Sequence, residues 1–284
     1  MPLDIFVLKQ YQNHYFFFEG DSSEIDFLGD TESGREIAFK MNNFFAMFVH
    51  SIWFVKDNSA YVNYCVVEDL DNEKVFTNTK DILATNSTGE YANTNLSIDE
   101  VETFYNLLPY FFKLNVVDNQ SEINLFGPDE MIHNAIPSEF NYIRYDYNRV
   151  KRAAYFLQLI RHNSNLIIKI TFFVAIYECL FTSNPSEVTH QVSERAALYI
   201  GGDNLIKRVN YDLIREAYTI RSKYIHGSVV KNSREELLRI CMSIDALTRQ
   251  LFLKIRGNDE IFLLSDSEGD KKKFENYFKN LLFE

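Results

Sequence analysis

Arg221 and His226, in the stretch IRSKYIHGS, are the two side chains of this 284-residue chain best suited to work on a phosphodiester. Cleavage of an RNA backbone by its own 2′-hydroxyl needs a group that moves protons near neutral pH and a cation that holds charge on the phosphorane. Imidazole titrates near pH ~6.5 and suits the first task. Guanidinium stays charged and presents a planar fork to phosphate oxygens, which suits the second. The spacing alone says little. With 13 Arg and 6 His in the chain, an arginine followed four to six residues later by a histidine is expected roughly once by chance. On an ideal helix the two side chains point about 140° apart, so a site shared by two copies of the chain is one way to bring both to a single phosphate. The plainer alternative is an arginine paired with a buried carboxylate and a histidine that ends a helix.

The elements around the pair make it more specific. From about Leu205 the residues Val209, Leu213, Ala217, Ile220 and Tyr224 fall on one stripe, so a helix is expected to run to His226, with Gly227 as its C-terminal cap. Ser233 and Glu236 have capping-box spacing and open the next helix, through SREELLRICMSIDALTRQLFLKI. Arg221 and His226 thus lie at the mouth of a bundle, close to a helix N-terminus that favours anions. Upstream, FNYIRYDYNRVKRAAYFLQLIR and NLIIKITFFVAIYECLF form a helical hairpin broken at HNSN. The next helix, NPSEVTHQVSERAALYIGG, takes Asn184 as N-cap with Pro185 at the first helical position and leaves through glycines. Glu178 could orient Arg221, or Glu178 and Arg195 could each sit in a buried ion pair that fixes helix packing. Lys223 and Arg215 are candidates for RNA phosphates or are simply solvated cations; Ser222 lies between Arg221 and Lys223. RVKRAAYFLQLIRH combines cations with aromatics, as an RNA path or as a solvated helix face.

The N-terminal half has a different pattern. DIFVLKQ, HYFFFEG, SEIDFLG, EIAFKMN, SIWFVKD, AYVNYCVVED and EKVFTNT are short strand-like runs separated by turn formers. One helix interrupts them, opened by the capping box Ser97–Glu100 and bent or ended at Pro109. NNFFAMFVHSIWFV is expected to be core. The expected fold class is α+β: a mainly antiparallel β domain over residues 1–137, an all-α bundle over 138–260, and a polar linker with a C-terminal amphipathic helix over 261–284, joined near FGPDEMIHNAIPSEF. Charge divides along the same boundary. Residues 1–137 hold 7 Lys+Arg against 22 Asp+Glu, whereas 138–260 hold 18 against 13. An acidic half repels nucleic acid and a basic half can hold it through phosphates.

Composition narrows the classes further. Cys65, Cys179 and Cys241 are far apart with no CxxC, which points to free thiols in a reducing, cytoplasmic setting rather than to a disulfide framework or zinc site. The first residues lack a basic stretch followed by a continuous apolar run, so no secretory signal is expected, and the longest apolar run, Leu166 to Phe181, is short for a membrane span and contains Lys169 and Glu178. His14, His50, His133, His162 and His190 show no HxxxH or HExxH spacing, so no metal is expected. The common nucleotide and hydrolase fingerprints GxGxxG, GxxxxGK[ST] and GxSxG do not occur, and no cofactor is expected.

YTIRSKYIHGS resembles the Arg-x4–6-His signature of HEPN domains, all-α modules found in many ribonucleases of bacterial defence and toxin systems. AIYECLFTSNPSEVTHQVSERAALYIGG extends the likeness to the Apea-like HEPN subgroup, and the likeness covers about Glu139 to Gly257. The family often has Asn, Asp or His after the arginine; here the residue is Ser222, which that subgroup commonly tolerates. The resemblance implies that Arg221 and His226 are catalytic in a homodimer with facing motifs. It also implies metal-independent cleavage that leaves a 2′,3′-cyclic phosphate. By the same analogy the N-terminal half would sense a phage-derived or host trigger and restrain a toxic ribonuclease in abortive infection. Two other roles stay open. The bundle could be a catalytically inactive dimerisation scaffold, or a HEPN toxin modified at Tyr224 by a partner nucleotidyltransferase.

Overall fold

The computed structural model describes residues 34–62, 64–69, 73–79, 83–115, 148–184, 187–265 and 267–283. They fall into two compact units, residues 34–50 with 61–83 and residues 51–60 with 84–283. The described residues are mostly helical with one small antiparallel sheet, an α+β layout in which the described part of the N-terminal half is less β-rich than its short alternating runs imply. No helix among the described residues is long and apolar enough to cross a membrane.

In the smaller unit, helix α1 (Gly34–Ser51) accompanies a hairpin of β1 (Tyr64–Asp69) and β2 (Lys74–Thr79), with Tyr64 opposite Thr79 and Asp69 opposite Lys74. The hairpin falls where AYVNYCVVED and EKVFTNT predict strands. EIAFKMN and SIWFVKD, also expected to be strands, are instead part of α1 and a 3-10 turn, Ile52–Phe54. Over seven residues EIAFKMN alternates. Along the helix Ala38, Met41, Asn42, Phe45 and Val49 are buried at spacings of three and four. Met41 and Phe45 pack with Ile37, Val62 and Cys65. The Asn42 amide donates to the Asn78 carbonyl and side chain at 3.1 and 2.7 Å. The other expected strands and the expected junction FGPDEMIHNAIPSEF lie outside the described residues.

The larger unit begins with α2 (Ile98–Asn115), opened by the expected capping box: the Glu100 carboxylate accepts from Ser97 N–H at 2.8 Å and Glu100 N–H donates to Ser97 Oγ at 3.2 Å. Pro109 does not end this helix. Buried Phe104 and Leu107 on one side, and a Tyr110 hydroxyl bond to the Phe252 carbonyl on the other (3.0 Å), anchor both flanks, so the lost backbone bond is tolerated. Among the described residues the next helices are α3 (Arg149–Arg161), α4 (Leu166–Phe181), α5 (Val188–Ile200), α6 (Asn204–Ile225) and α7 (Arg234–Ile255). The α3–α4 hairpin turns at HNSN as expected, with Asn165 capping Ile167 and Ile168. Helix α4 is apolar nearly all round and runs parallel to α7, since Cys241 Sγ meets the Leu166 carbonyl at 3.4 Å and Tyr177 meets Thr248 at 3.2 Å.

Asn184 is not the cap of α5. The helix starts at Val188 with Glu187 as N-cap at φ +52, and that side chain makes no capping bond. The exit through Gly201, at φ +84, is as expected. In the tail, α8 (Glu268–Asn280) starts earlier than its apolar residues suggest: Ser267 caps it, so the EGDKKK of the expected polar linker forms its first turns. Phe274 and Phe278 from α8 pack into a ring cluster with Phe181, Tyr199 and Phe262.

Residues 51–60 and 84–95 thread into this helical unit. Trp53 is 1% exposed, and its indole N–H donates to Asp245 at 2.7 Å. Arg161 is buried and donates to the Asn58 carbonyl and Asn58 Oδ1, both at 3.0 Å. In turn, Thr85 N–H and Oγ1 donate to the Arg161 carbonyl at 2.7 and 3.1 Å. Residues on the N-terminal side of position 137 are therefore part of the unit that carries Arg221 and His226.

Candidate active site

Helix α6 starts where Asp203 accepts from Ile206 N–H at 2.8 Å. Its buried stripe is Asn210, Ile214, Ala217 and Ile220. The expected stripe is rotated from this one: Leu213 is half-buried, and Val209 and Tyr224 are 57% and 42% exposed. That rotation turns Tyr224 to the surface beside Lys223, Ile225 and His226, all exposed. The helix ends at His226 as expected. Gly227 takes φ +72, Ser228 N–H reaches back to the Lys223 carbonyl at 2.8 Å, and Gly227 N–H reaches the Tyr224 carbonyl at 3.2 Å. These two bonds are the Schellman pattern, which requires a residue at ease in the left-handed region just after the cap. A Cβ at Gly227 would meet nothing within 4 Å, so the backbone angle and not space selects glycine there.

Arg221 lies one turn before this end. Its Nη2 donates to Glu178 Oε2, in the last turn of α4, at 3.3 Å, and its guanidinium lies 5.5 Å from the centroid of the Tyr218 ring. Both partners of the ion pair are about three-quarters buried, with side chains 27% and 23% exposed. Nη1 and Nε of Arg221 make no hydrogen bond among the described residues. Burial, and then the hydrogen bond and charge of the Glu178 carboxylate, push the Tyr218 hydroxyl above its ordinary pKa, against opposing contributions from Thr189 and Arg221. Tyr218 and Thr189 are absent from the residues singled out by sequence; the available signal is Tyr218's place one turn before Arg221.

The other candidates separate. Arg195 does not pair with Glu178. It donates to the Phe181 carbonyl and Ser183 Oγ, both at 2.9 Å, and lies over the Phe274 and Phe278 rings at 5.7 and 5.3 Å, which makes it part of the seat for α8. Arg215 is exposed over the Tyr211 ring at 5.5 Å, and Lys223 is exposed. Ser222 is half-buried, and its carbonyl accepts from His226 N–H at 3.0 Å. Among the described residues no hydrogen bond or ion pair joins the side chains of Arg221 and His226, in keeping with their divergent directions on the helix. No group of three or more His, Cys, Asp or Glu among the described residues is placed to hold a metal. A hollow of about 360 Å³ at the starts of α4 and α7, lined by Ser164, Asn165, Leu166, Ile167, Arg234 and Leu237, includes none of these side chains.

Chemically, the α6 end presents a guanidinium fixed at one corner with the rest of its fork open, and an imidazole in solvent at the helix exit. Such a fork can take two oxygens of a phosphate. No protein-family model, curated protein or solved structure matches this chain.

Proposed function

We propose that the chain is a metal-independent endoribonuclease of the HEPN type, a toxic effector of anti-phage defence that acts as a homodimer. The observation that carries this reading is the state of Arg221: about three-quarters buried, held by Glu178 at one nitrogen, and open at the other two, one turn before an exposed histidine. His226 takes the proton of a ribose 2′-hydroxyl, and that oxygen attacks the adjacent phosphorus. Arg221 holds the charge that builds on the non-bridging oxygens, the P–O5′ bond breaks, and the leaving oxygen takes up a proton. The products are a 2′,3′-cyclic phosphate and a 5′-hydroxyl. Because the two side chains diverge, the imidazole of one copy and the guanidinium of another serve the same phosphate, and Lys223 and Arg215 supply flanking phosphate contacts.

The test is cleavage of labelled tRNA and mRNA in EDTA by the purified chain beside His226→Ala and Arg221→Ala. The expected result is cyclic-phosphate ends from the wild type and a loss of about 10²-fold or more in each variant, with thermal stability unchanged for the exposed His226. Cleavage that survives both substitutions would remove these residues from the role. One observation favours a second reading, a catalytically inactive dimerisation scaffold: Leu205, Ile206 and Val209 are 71%, 49% and 57% exposed at the start of α6. A dimer that binds a partner, cleaves no RNA and causes no growth arrest would support it over the enzyme.

A further inference from the structure

The guanidiniums of the larger unit are held in different ways. Arg249 donates Nε to the Trp53 carbonyl at 2.6 Å and Nη2 to Asp245 at 2.5 Å, and lies over the Trp53 ring at 4.9 Å. Arg161 spends both terminal nitrogens on Asn58 and the Ala60 carbonyl. Arg221 uses only Nη2, at 3.3 Å, and its second neighbour is the face of Tyr218, one turn back on the same helix. An aromatic face attracts a guanidinium and fixes its plane without occupying an N–H. A carboxylate at one corner then fixes rotation within that plane. Two restraints of different kind orient the group while leaving Nε and Nη1 for an incoming anion.

We propose that Tyr218 is a positioning residue, whose ring, acting with Glu178, holds the Arg221 fork flat and open towards the phosphate. This rests on the reading of Arg221 as the phosphate-holding group. The Tyr218 hydroxyl also bonds the Glu178 carboxylate, but the ring is the working part. Tyr218→Phe, which removes only the hydroxyl, therefore retains the effect, and Tyr218→Leu, which keeps apolar bulk without a π face, loses it. In cleavage assays Tyr218→Phe stays within about 2-fold of wild type. Tyr218→Leu loses about 5-fold in kcat with KM little changed, since the orientation matters most when charge develops on the phosphorane. A second readout does not depend on cleavage. The ¹⁵N signals of the Arg221 guanidinium, assigned by their disappearance in Arg221→Lys, show restrained rotation in wild type and Tyr218→Phe and free rotation in Tyr218→Leu. Equal kcat and equal rotation in all three proteins would overturn the positioning role while leaving the ribonuclease reading intact. A Tyr218→Phe variant as poor as Tyr218→Leu would also overturn it, by assigning the effect to the hydroxyl. Restraint lost in Tyr218→Leu with no RNA cleaved by the wild type would keep the platform and remove the enzyme.

Discussion

Two places in the larger unit concentrate charge, and they handle it in opposite ways. In the belt where residues 51–60 enter the bundle, Asp245 accepts from both Trp53 and Arg249, Arg161 is enclosed by Asn58 and Ala60, and Lys169 donates from a buried position to the Ile160 carbonyl at 2.8 Å. At the end of α6, Arg221 has one partner for its fork and His226, Lys223 and Tyr224 face solvent. A buried charge needs partners that offset the cost of its desolvation. A half-buried charge with donors to spare has room for something that arrives from outside. Arginine and lysine occur in both regions; depth of burial and the number of partners distinguish the charges that hold the fold from those at the α6 end.

Asp245→Ala tests the contrast most severely. It leaves Arg249 without its carboxylate and the Trp53 N–H without an acceptor, and should cost about 3–5 kcal/mol in a denaturant titration, against at most about 1 kcal/mol for Arg221→Ala at the more exposed pair. Equal losses would erase the distinction. Next in size is a pH effect. Burial pulls the Lys169 ammonium down to about 8. Between pH 8 and the ordinary lysine range the unfolded chain binds more protons than the folded one, so stability rises with pH there. From pH 7 to 9.5 the wild type should gain about 2 kcal/mol relative to Lys169→Met, measured as the change in their stability difference; no change would mean that Lys169 is not desolvated in solution. Smallest is Gly227→Ala, which places a side chain at φ +72 and should cost about 1–2 kcal/mol, with Gly227→Asn recovering most of it. A thermal shift near zero would show that the helix end holds His226 without the left-handed turn.

How far these features can be read in the sequence follows the distance over which they act. The capping boxes Ser97–Glu100 and Ser233–Glu236, the hairpin strands and the His226–Gly227 helix end each depend on residues a few positions apart, and each stands where the pattern places it. Helix α1 is hidden because a seven-residue window cannot separate alternation from a helical stripe. The stripe of α6 is misread because Asn210, a polar residue, holds a buried position and Val209 does not. Glu178 is legible as a candidate partner for Arg221, while Tyr218 offers only its place one turn earlier on the helix, which any residue there would share. The belt is hidden altogether: Asn58 and Arg161 lie 103 positions apart, and no local pattern joins them.

The bond from Trp53 to Asp245 spans 192 residues. During synthesis at about 5–20 residues per second, Trp53 emerges about 10–40 seconds before its acceptor exists. Throughout that interval the indole and the segment around it wait without their final seat, and the belt can close only after Asp245 has left the ribosome. The histidine at the end of α6 emerges before Asp245 as well. Closure of the belt therefore follows the emergence of the α6 end that carries the site.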